Sequence, residues 1–320
     1  MTRDELISIQ YATRSPRHDF EKPFQIASSF PGEYTKSNID FTHAVAEVIH
    51  DLRGSQDAYG IDSHGFAVIE HYSAMVDWSD KEAIEKLYLP EVEKIMTAHL
   101  DNVNEVYFFN WRVRLFFPLY CLALAQRYHQ KRKNRPYKDE GIQEIDMNDG
   151  SQYVLPADFV HFADLHKDHS PVNVVELVQR YMGARAVDLL RGRVRVINFW
   201  KPISPYPIQD APLALCDGTS VTDADFMTAD HVRIQIQGET RLLLYRPGFR
   251  WHYLSDQEEH EGYLIKIFDS LKSVPAQCKL KPNLDSGQWS DFQAINTFQP
   301  ALTLPFNTAI FLLGVLQEKA

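Results

Sequence analysis

Val194-Arg195-Val196-Ile197-Asn198-Phe199-Trp200 is a short run rich in β-branched and aromatic residues, and its setting in the chain decides the fold. Before it, Val172 to Leu190 carries apolar residues at helical spacing, Val175, Val178, Leu189 and Leu190 among them. After it come further β-type runs separated by turns: Leu213 to Cys216, Val232 to Ile236, Thr240 to Tyr245, Tyr263 to Phe268 and Ala309 to Leu316. Several short strands at this spacing predict a sandwich or jelly roll.

Upstream the pattern is mixed. Phe41 to Leu52 has Ala44, Val45, Val48 and Ile49 at helical spacing and predicts a helix. Ser79-Asp80-Lys81-Glu82 reads as a capping box opening a helix toward Leu100, with Pro90 as its interruption. Asn104 to Arg114 is rich in Val, Tyr and Phe and reads as a strand, whereas residues 130–152 are polar and aperiodic and read as a loop or lid. No repeat, low-complexity tract or composition break is visible. Residues 1–320 are therefore expected to form one domain, with a helical and mixed N-terminal layer (1–150) on a jelly-roll core (151–320) that holds the cavity.

The 33 basic and 43 acidic residues leave a net charge of −10, which argues against nucleic acid or an anionic membrane surface as a partner. The one basic run, Lys131-Arg132-Lys133-Asn134-Arg135, is followed by Asp139 and Glu140 and reads as a solvated loop. Cys121, Cys216 and Cys278 lie far apart in no metal spacing, as expected of reduced thiols. Met1 to Glu5 leads into no apolar run, and Leu115 to Ala125 is too short to span a bilayer and contains Pro118. A cytoplasmic protein without membrane insertion is the expectation.

His166-Lys167-Asp168 carries the chemical signal. On a strand, residues two apart share a face, so an imidazole and a carboxylate would stand side by side. They are two of the three ligands of the 2-His-1-carboxylate triad that holds non-haem Fe(II). After His169 only His231, His252 and His260 remain to supply a third. His231 is the first candidate for that ligand, with Arg241 or Arg246 to hold an oxoacid, and His252 the second, although His231 at the mouth of a strand reads first as a surface residue and His252 in an aromatic strand first as a core or pocket-wall residue. The same pair reads equally as a catalytic acid/base pair or as a strand's hydrogen-bonded polar pair. His161 and Asp164 read either as facing the same pocket or, equally, as a polar strand edge.

Four blocks resemble the fungal AsaB-type hydroxylase/desaturase family, which includes gibberellin-desaturase-like and CmcJ-like members. They are His166-Lys167-Asp168-His169-Ser170-Pro171, Arg195-Val196-Ile197-Asn198-Phe199-Trp200-Lys201-Pro202, Asp210-Ala211-Pro212-Leu213-Ala214-Leu215-Cys216-Asp217, and Arg250-Trp251-His252-Tyr253 with Leu264 to Ser270. The resemblance implies an α+β fold built on a double-stranded β-helix (jelly roll, cupin-like) flanked by N-terminal helices. For intact members it implies Fe(II)/2-oxoglutarate-dependent hydroxylation or desaturation in secondary metabolism.

The chain departs from that family pattern in three places. Where the family has a histidine after the Phe-Asp-Ser strand, this chain has Lys279 to Leu284. Where the family's last strand has an arginine suited to a carboxylate co-substrate, it has Phe311. Phe249 replaces the histidine before Arg-Trp. Two protein ligands hold Fe(II) poorly, and without the arginine 2-oxoglutarate loses its bidentate clamp.

The expectation drawn from these departures is a redox-neutral cyclase or isomerase that needs no cofactor. Its sharpest form is a pericyclase catalysing a [4+2] (Diels–Alder) cyclisation of a small apolar terpenoid or polyketide, the type that the sordarin-pathway norbornene synthase represents. His166, Asp168, Asn198 and Lys201 are its catalytic candidates, Asn198 and Lys201 as donors to a substrate carbonyl. His161, Trp200, Phe249, Trp251, His252, Tyr253 and Phe311 would line the pocket. The alternatives are an Fe(II)/2-oxoglutarate oxygenase using His166, Asp168 and His231, and a non-catalytic carrier of a pathway intermediate.

Overall fold

The strand that opens the C-terminal half lies at the centre of the largest sheet. The structure, a computed structural model, describes residues 3–7, 9–26, 34–43, 46–75, 77–78, 80–113, 168–203, 205–209, 212–232, 237–271, 273–276 and 310–318. In chain order the strands are β1 (Glu5–Ile7), β2 (Gln10–Thr13), β3 (Phe24–Ile26), β4 (Asp40–His43), β5 (Glu47–Asp51), β6 (Phe66–Glu70), β7 (Glu105–Val113) and β8 (Asp168–His169). They continue with β9 (Arg193–Trp200), β10 (Leu215–Cys216), β11 (Phe226–Val232), β12 (Gln237–Leu243), β13 (Trp251–Tyr253), β14 (Glu261–Asp269) and β15 (Ile310–Glu318). The large sheet runs β6-β14-β9-β15-β7, and smaller sheets run β1-β5-β13-β10, β3-β11-β12-β8 and β2-β4.

From Val194 to Trp200 every residue of β9 is buried, as its apolar composition requires of a strand covered on both faces. Period-two alternation sorts its side chains. Val194, Val196 and Trp200 pack with Phe66, Leu215, Leu254, Tyr263 and Ile265 in one layer. Ile197 and Phe199 pack with Trp78, Ile84, Tyr88 and Val92 in the other. One end of β9 is tied to β14 by charge. Arg193 meets Asp269 (2.6 Å) and Asp62 (2.9 Å), and Lys266, fully buried, meets the same two carboxylates at 2.9 and 3.0 Å.

The helical stretch expected before Leu100 is present as α1 (Lys81–Ala83), a π-helical turn (Ile84–Tyr88) and α2 (Leu89–His99). Asp80 caps it by accepting from the Ala83 amide at 3.1 Å. Pro90 does not interrupt this stretch. It falls in the first turn of α2, directly after the π turn, where a missing N–H is tolerated. Further on, α3 (Pro171–Met182) ends at Gly183, whose φ of 53° suits glycine, and α4 (Ala186–Leu189) follows.

One expectation is corrected. Phe41 to Leu52 is not a helix: it forms β4 and β5, because Ile49 pairs with Trp251 on one side and Glu5 on the other. Of the strand expected at Val232 to Ile236, Val232 is the last residue of β11, which is in register with β12 from Phe226↔Leu243 to Val232↔Gln237, and residues 233–236 lie outside the described residues. Strands from the first 113 residues also join the later ones directly, β3 with β11, β5 with β13, β6 with β14 and β7 with β15. The loop expected at 130–152 lies outside the described residues. Among the described residues no helix is long and apolar enough to cross a membrane.

Candidate functional site

Asp168 enters the structure on β8, directly opposite Arg241 of β12; the backbone alone is described there. His161 and His166 lie outside the described residues. Two residues past Asp168, the Ser170 hydroxyl caps α3 by accepting from the Asn173 amide at 3.1 Å, and Pro171 occupies the first turn. The Asn173 side chain donates to the Glu239 carbonyl at 3.2 Å, fastening α3 to β12. Val174 and Val178 of α3 are buried in the same layer as Val196 and Trp200. The His-x-Asp motif therefore leads straight into the helix that covers this face of β9.

Asn198 shares that face. It is 6 % exposed, pairs across with Ile265, and its Oδ1 has no hydrogen-bond partner among the described residues. A buried, unpaired amide oxygen costs about 1–3 kcal/mol, so its place in an apolar layer asks for a partner. Trp200, 5 % exposed, lies opposite Tyr263 with ring centroids 5.9 Å apart. On the neighbouring strand Leu313 of β15 pairs with Asn198, so Phe311 takes a register position of the same parity, its backbone alone being described.

Lys201 does not join Asn198. It is turned to the opposite layer, 1 % exposed, with Nζ 3.5 Å from the His71 carbonyl and 6.0 Å from the Trp78 ring centroid. The two expected donors stand three residues apart, an odd interval that strand alternation sends to opposite faces.

The expected aromatic wall divides in the same way. Phe249, Trp251 and Tyr253 pack with Ile9, Tyr11 and Ile49. Tyr11 stacks on Phe249 at 5.7 Å and accepts from Trp251 Nε1 at 3.1 Å, and the Tyr253 hydroxyl donates to the Arg3 carbonyl. His252 points the other way, 4 % exposed, beside Tyr59 (4.8 Å), His50 (5.7 Å) and Phe66 (5.9 Å). Its cross-strand partner Leu215 belongs to the Trp200 layer. The sequence did not place Tyr59, Phe66 or Tyr263 in this layer, although Tyr263 opens a run read as a strand, because they reach it from strands and turns remote from the motif.

Register separates His231 from the motif. Arg241, opposite Asp168, pairs with Thr228, while His231 pairs with Gly238. His231 is three residues from Thr228 on an unbroken ladder and so lies on the opposite face of the sheet from Arg241. Two strand spacings and three residues also set it on the order of 14 Å from the Asp168 position. Arg241 is held by Asp223 at 2.8 Å and lies over the Phe226 ring at 3.9 Å, and Arg246 is held by Asp225 at 2.5 Å. Both arginines are engaged away from the role of an oxoacid clamp. Among the described residues no three His, Cys, Asp or Glu side chains come together as a metal site. The donor types at His166 and Asp168, imidazole and carboxylate, nevertheless suit Fe(II).

Comparison with known proteins places this geometry. The family model described as "Oxidoreductase/YMDC permease-like domain" matches residues 9–283, a span that contains the His-x-Asp motif and β9. The Fe(II)/2-oxoglutarate-dependent dioxygenase nvfI of Aspergillus novofumigatus (strain IBT 16806) is 26% identical over 258 residues, 78% of this chain and 80% of its own length. The alpha-ketoglutarate-dependent dioxygenase phiK of a Fungal sp. (strain ATCC 74256) is 27% identical over 75% of this chain and 74% of its own. The hydroxylase/desaturase poxK of Penicillium oxalicum (strain 114-2 / CGMCC 5302) is 24% identical over 79% and 75%. Among solved structures, the iron and alpha-ketoglutarate-dependent endoperoxidase NvfI superposes with a TM-score of 0.69 at 20% identity, covering 99% of both chains. The fold is thus α+β of the double-stranded β-helix type, with few helices and several small sheets.

These relatives overturn the expectation of a cofactor-free cyclase or pericyclase. They are dioxygenases and a hydroxylase/desaturase, and those described by cofactor use Fe(II) and 2-oxoglutarate (alpha-ketoglutarate). The expectation rested on Lys279 to Leu284, which lies outside the described residues, and on Phe311, of which the backbone alone is described. Departures from a motif at those positions were too narrow a basis to remove the redox chemistry.

Proposed function

We propose, from the premise that this chain belongs to the family described as Oxidoreductase/YMDC permease-like domain, that it is an Fe(II)- and 2-oxoglutarate-dependent oxygenase. Its reaction is hydroxylation or desaturation of a small apolar molecule of fungal secondary metabolism. One observation carries the reading most. The His-x-Asp motif runs into α3, and α3 packs on the same face of β9 that presents the unpaired, buried amide oxygen of Asn198. The helix that follows the metal-binding pair and an orphaned polar anchor thus share one apolar layer, which supports a substrate pocket there.

His166 and Asp168 would hold the iron, which when bound supplies the oxidising chemistry with 2-oxoglutarate and oxygen. The chain's own residues do the rest. The Ser170 cap and Pro171 fix where the motif meets α3, limiting how far Asp168 can wander. Asn198 offers one hydrogen bond to a polar group of the bound molecule, and because amide oxygen and nitrogen exchange by a simple flip, that group can be a carbonyl or a hydroxyl. Trp200 and Tyr263 shield the layer from water.

Succinate formation from 2-oxoglutarate by the anaerobically reconstituted protein, after admission of oxygen, tests this reading. Iron-dependent succinate is expected from the wild type, with loss of at least about tenfold in His166→Ala and Asp168→Ala. Equal succinate from wild type and both variants would remove these residues from the reaction.

A further inference from the structure

The chain turns from β8 into α3 at Ser170, two residues past Asp168, and Glu239 of β12 holds that turn through both its backbone and its side chain. The Glu239 carbonyl accepts from the Ser170 amide at 3.5 Å and from the Asn173 side chain at 3.2 Å. Its carboxylate accepts a hydrogen bond from the Ser170 hydroxyl. The Lys22 ammonium donates to the same carboxylate at 2.7 Å and meets Asp230 of β11 at 2.6 Å. Against the upward push of burial, the hydrogen bonds from Lys22 and Ser170 hold the Glu239 carboxyl below its usual value.

The local architecture makes this junction matter for Asp168. Strand β8 is two residues long and pairs with β12 only through Arg241↔Asp168 and Thr240↔His169. So short a ladder fixes little by itself, and the ties at its end decide where it lies. The Ser170 hydroxyl is engaged twice, donating to Glu239 while accepting from the Asn173 amide at 3.1 Å. The carboxylate thus turns the hydroxyl oxygen toward the first turn of α3. Pro171 restricts Ser170 to an extended backbone, and its φ of −66° and ψ of 158° comply. A shift at Glu239 is therefore passed on to Asp168 rather than absorbed by a soft turn. Lys22 is itself fixed. Its carbonyl accepts from the side chain of buried Asn38 at 3.0 Å, and the Pro23 carbonyl accepts from the Asp230 amide at 2.8 Å.

We propose that Glu239, anchored by Lys22, is a positioning residue for the iron site: it fixes the backbone at Ser170 and so the place from which Asp168 serves the metal. The inference rests on the oxygenase reading and extends it to two residues that lie outside the His-x-Asp motif. Groups that orient a ligand in this way commonly govern metal affinity about tenfold to a hundredfold without touching the ion.

Three measurements on the full chain test it: the Fe(II) dissociation constant under anaerobic conditions, amide exchange of the apoprotein across 168–170, and thermal unfolding of the apoprotein. Glu239→Ala is expected to weaken Fe(II) binding at least about tenfold and to speed exchange at 168–170, with the apoprotein Tm within about 3 °C of wild type. Glu239→Gln keeps an acceptor for Ser170 and is expected to recover part of the affinity. Lys22→Gln is expected to fall between Glu239→Ala and wild type, and it carries the comparison if Glu239→Ala does not fold. A purely structural role would lower the Tm and leave the affinity of the folded protein unchanged. Equal Fe(II) affinity in wild type, Glu239→Ala and Lys22→Gln would overturn the inference and leave the oxygenase reading standing. A wild type that holds no Fe(II) would overturn that reading, and the inference with it.

Discussion

Asn198 and Lys201 stand three residues apart in sequence and on opposite sides of the large sheet. Asn198 opens toward Trp200 and Tyr263, while Lys201 reaches His71 and Trp78. This relationship divides the chemistry of the molecule. The face reached by the His-x-Asp motif through α3 keeps one orphaned amide, and the face under α2 keeps a buried cation.

The amide gives the first prediction. Replacing an unpaired buried polar group by an apolar one of similar size removes a desolvation cost of about 1–3 kcal/mol. Asn198→Leu is therefore expected to unfold at the same or a higher temperature than wild type while losing coupled substrate oxidation. Calorimetry beside an assay of 2-oxoglutarate consumption reads both. A fall of several degrees would make Asn198 a structural residue instead.

The charge network at the end of β9 gives the second. Asp269 contacts both Arg193 and Lys266, and its carboxylate and the Lys266 ammonium are fully enclosed. Asp269→Asn leaves buried cations short of a counter-ion and is expected to destabilise by roughly 3 kcal/mol in urea unfolding. A loss below about 0.5 kcal/mol would show the network to be as weak as a surface pair.

Gly262 gives the third. A Cβ there would lie 2.6 Å from Phe199 Cε2 and 2.8 Å from Cζ, so Gly262→Ala is expected to cost about 1–3 kcal/mol. Phe199→Leu in the same chain should recover part of that loss, since the two changes touch the same contact. Strict additivity in a double-mutant cycle would place the strain elsewhere.

Glu47 gives a pH dependence. Burial raises its carboxyl above the usual value of 4.5, although Tyr11 donates a hydrogen bond to it at 2.9 Å. A folded value above the unfolded one means that the native state favours the protonated acid, so stability falls as pH rises through the folded value. Glu47→Gln keeps an acceptor for Tyr11 and removes the charge. It is expected to raise Tm at pH 7 to 8 and to make little difference below pH 4.5. A Tm difference independent of pH would refute the assignment.

Much of the C-terminal half was legible because its strands are short, β-branched and separated by turns. The β9 run and the α3 helix are examples. Phe41 to Leu52 misled because Val48 and Ile49 have helical spacing, while the partners that make them a strand, Trp251 and Leu6, lie far away in sequence. The divergence of Asn198 from Lys201 was readable from period two alone. The split of His252 from Trp251 and Tyr253 follows from the same alternation. The meeting of Lys201 with His71 and Trp78 was not legible, since Lys201 is more than a hundred residues from both and reaches them only when the helical stretch before Leu100 packs onto β9.

Anaerobic titration of Fe(II) and then 2-oxoglutarate into the apoprotein, followed by visible absorption, tests the oxygenase reading most directly. A metal-to-ligand charge-transfer band that grows with 2-oxoglutarate and is lost in His166→Ala is the predicted result. Absence of any band at saturating 2-oxoglutarate, with Fe(II) removed by simple gel filtration, would contradict it.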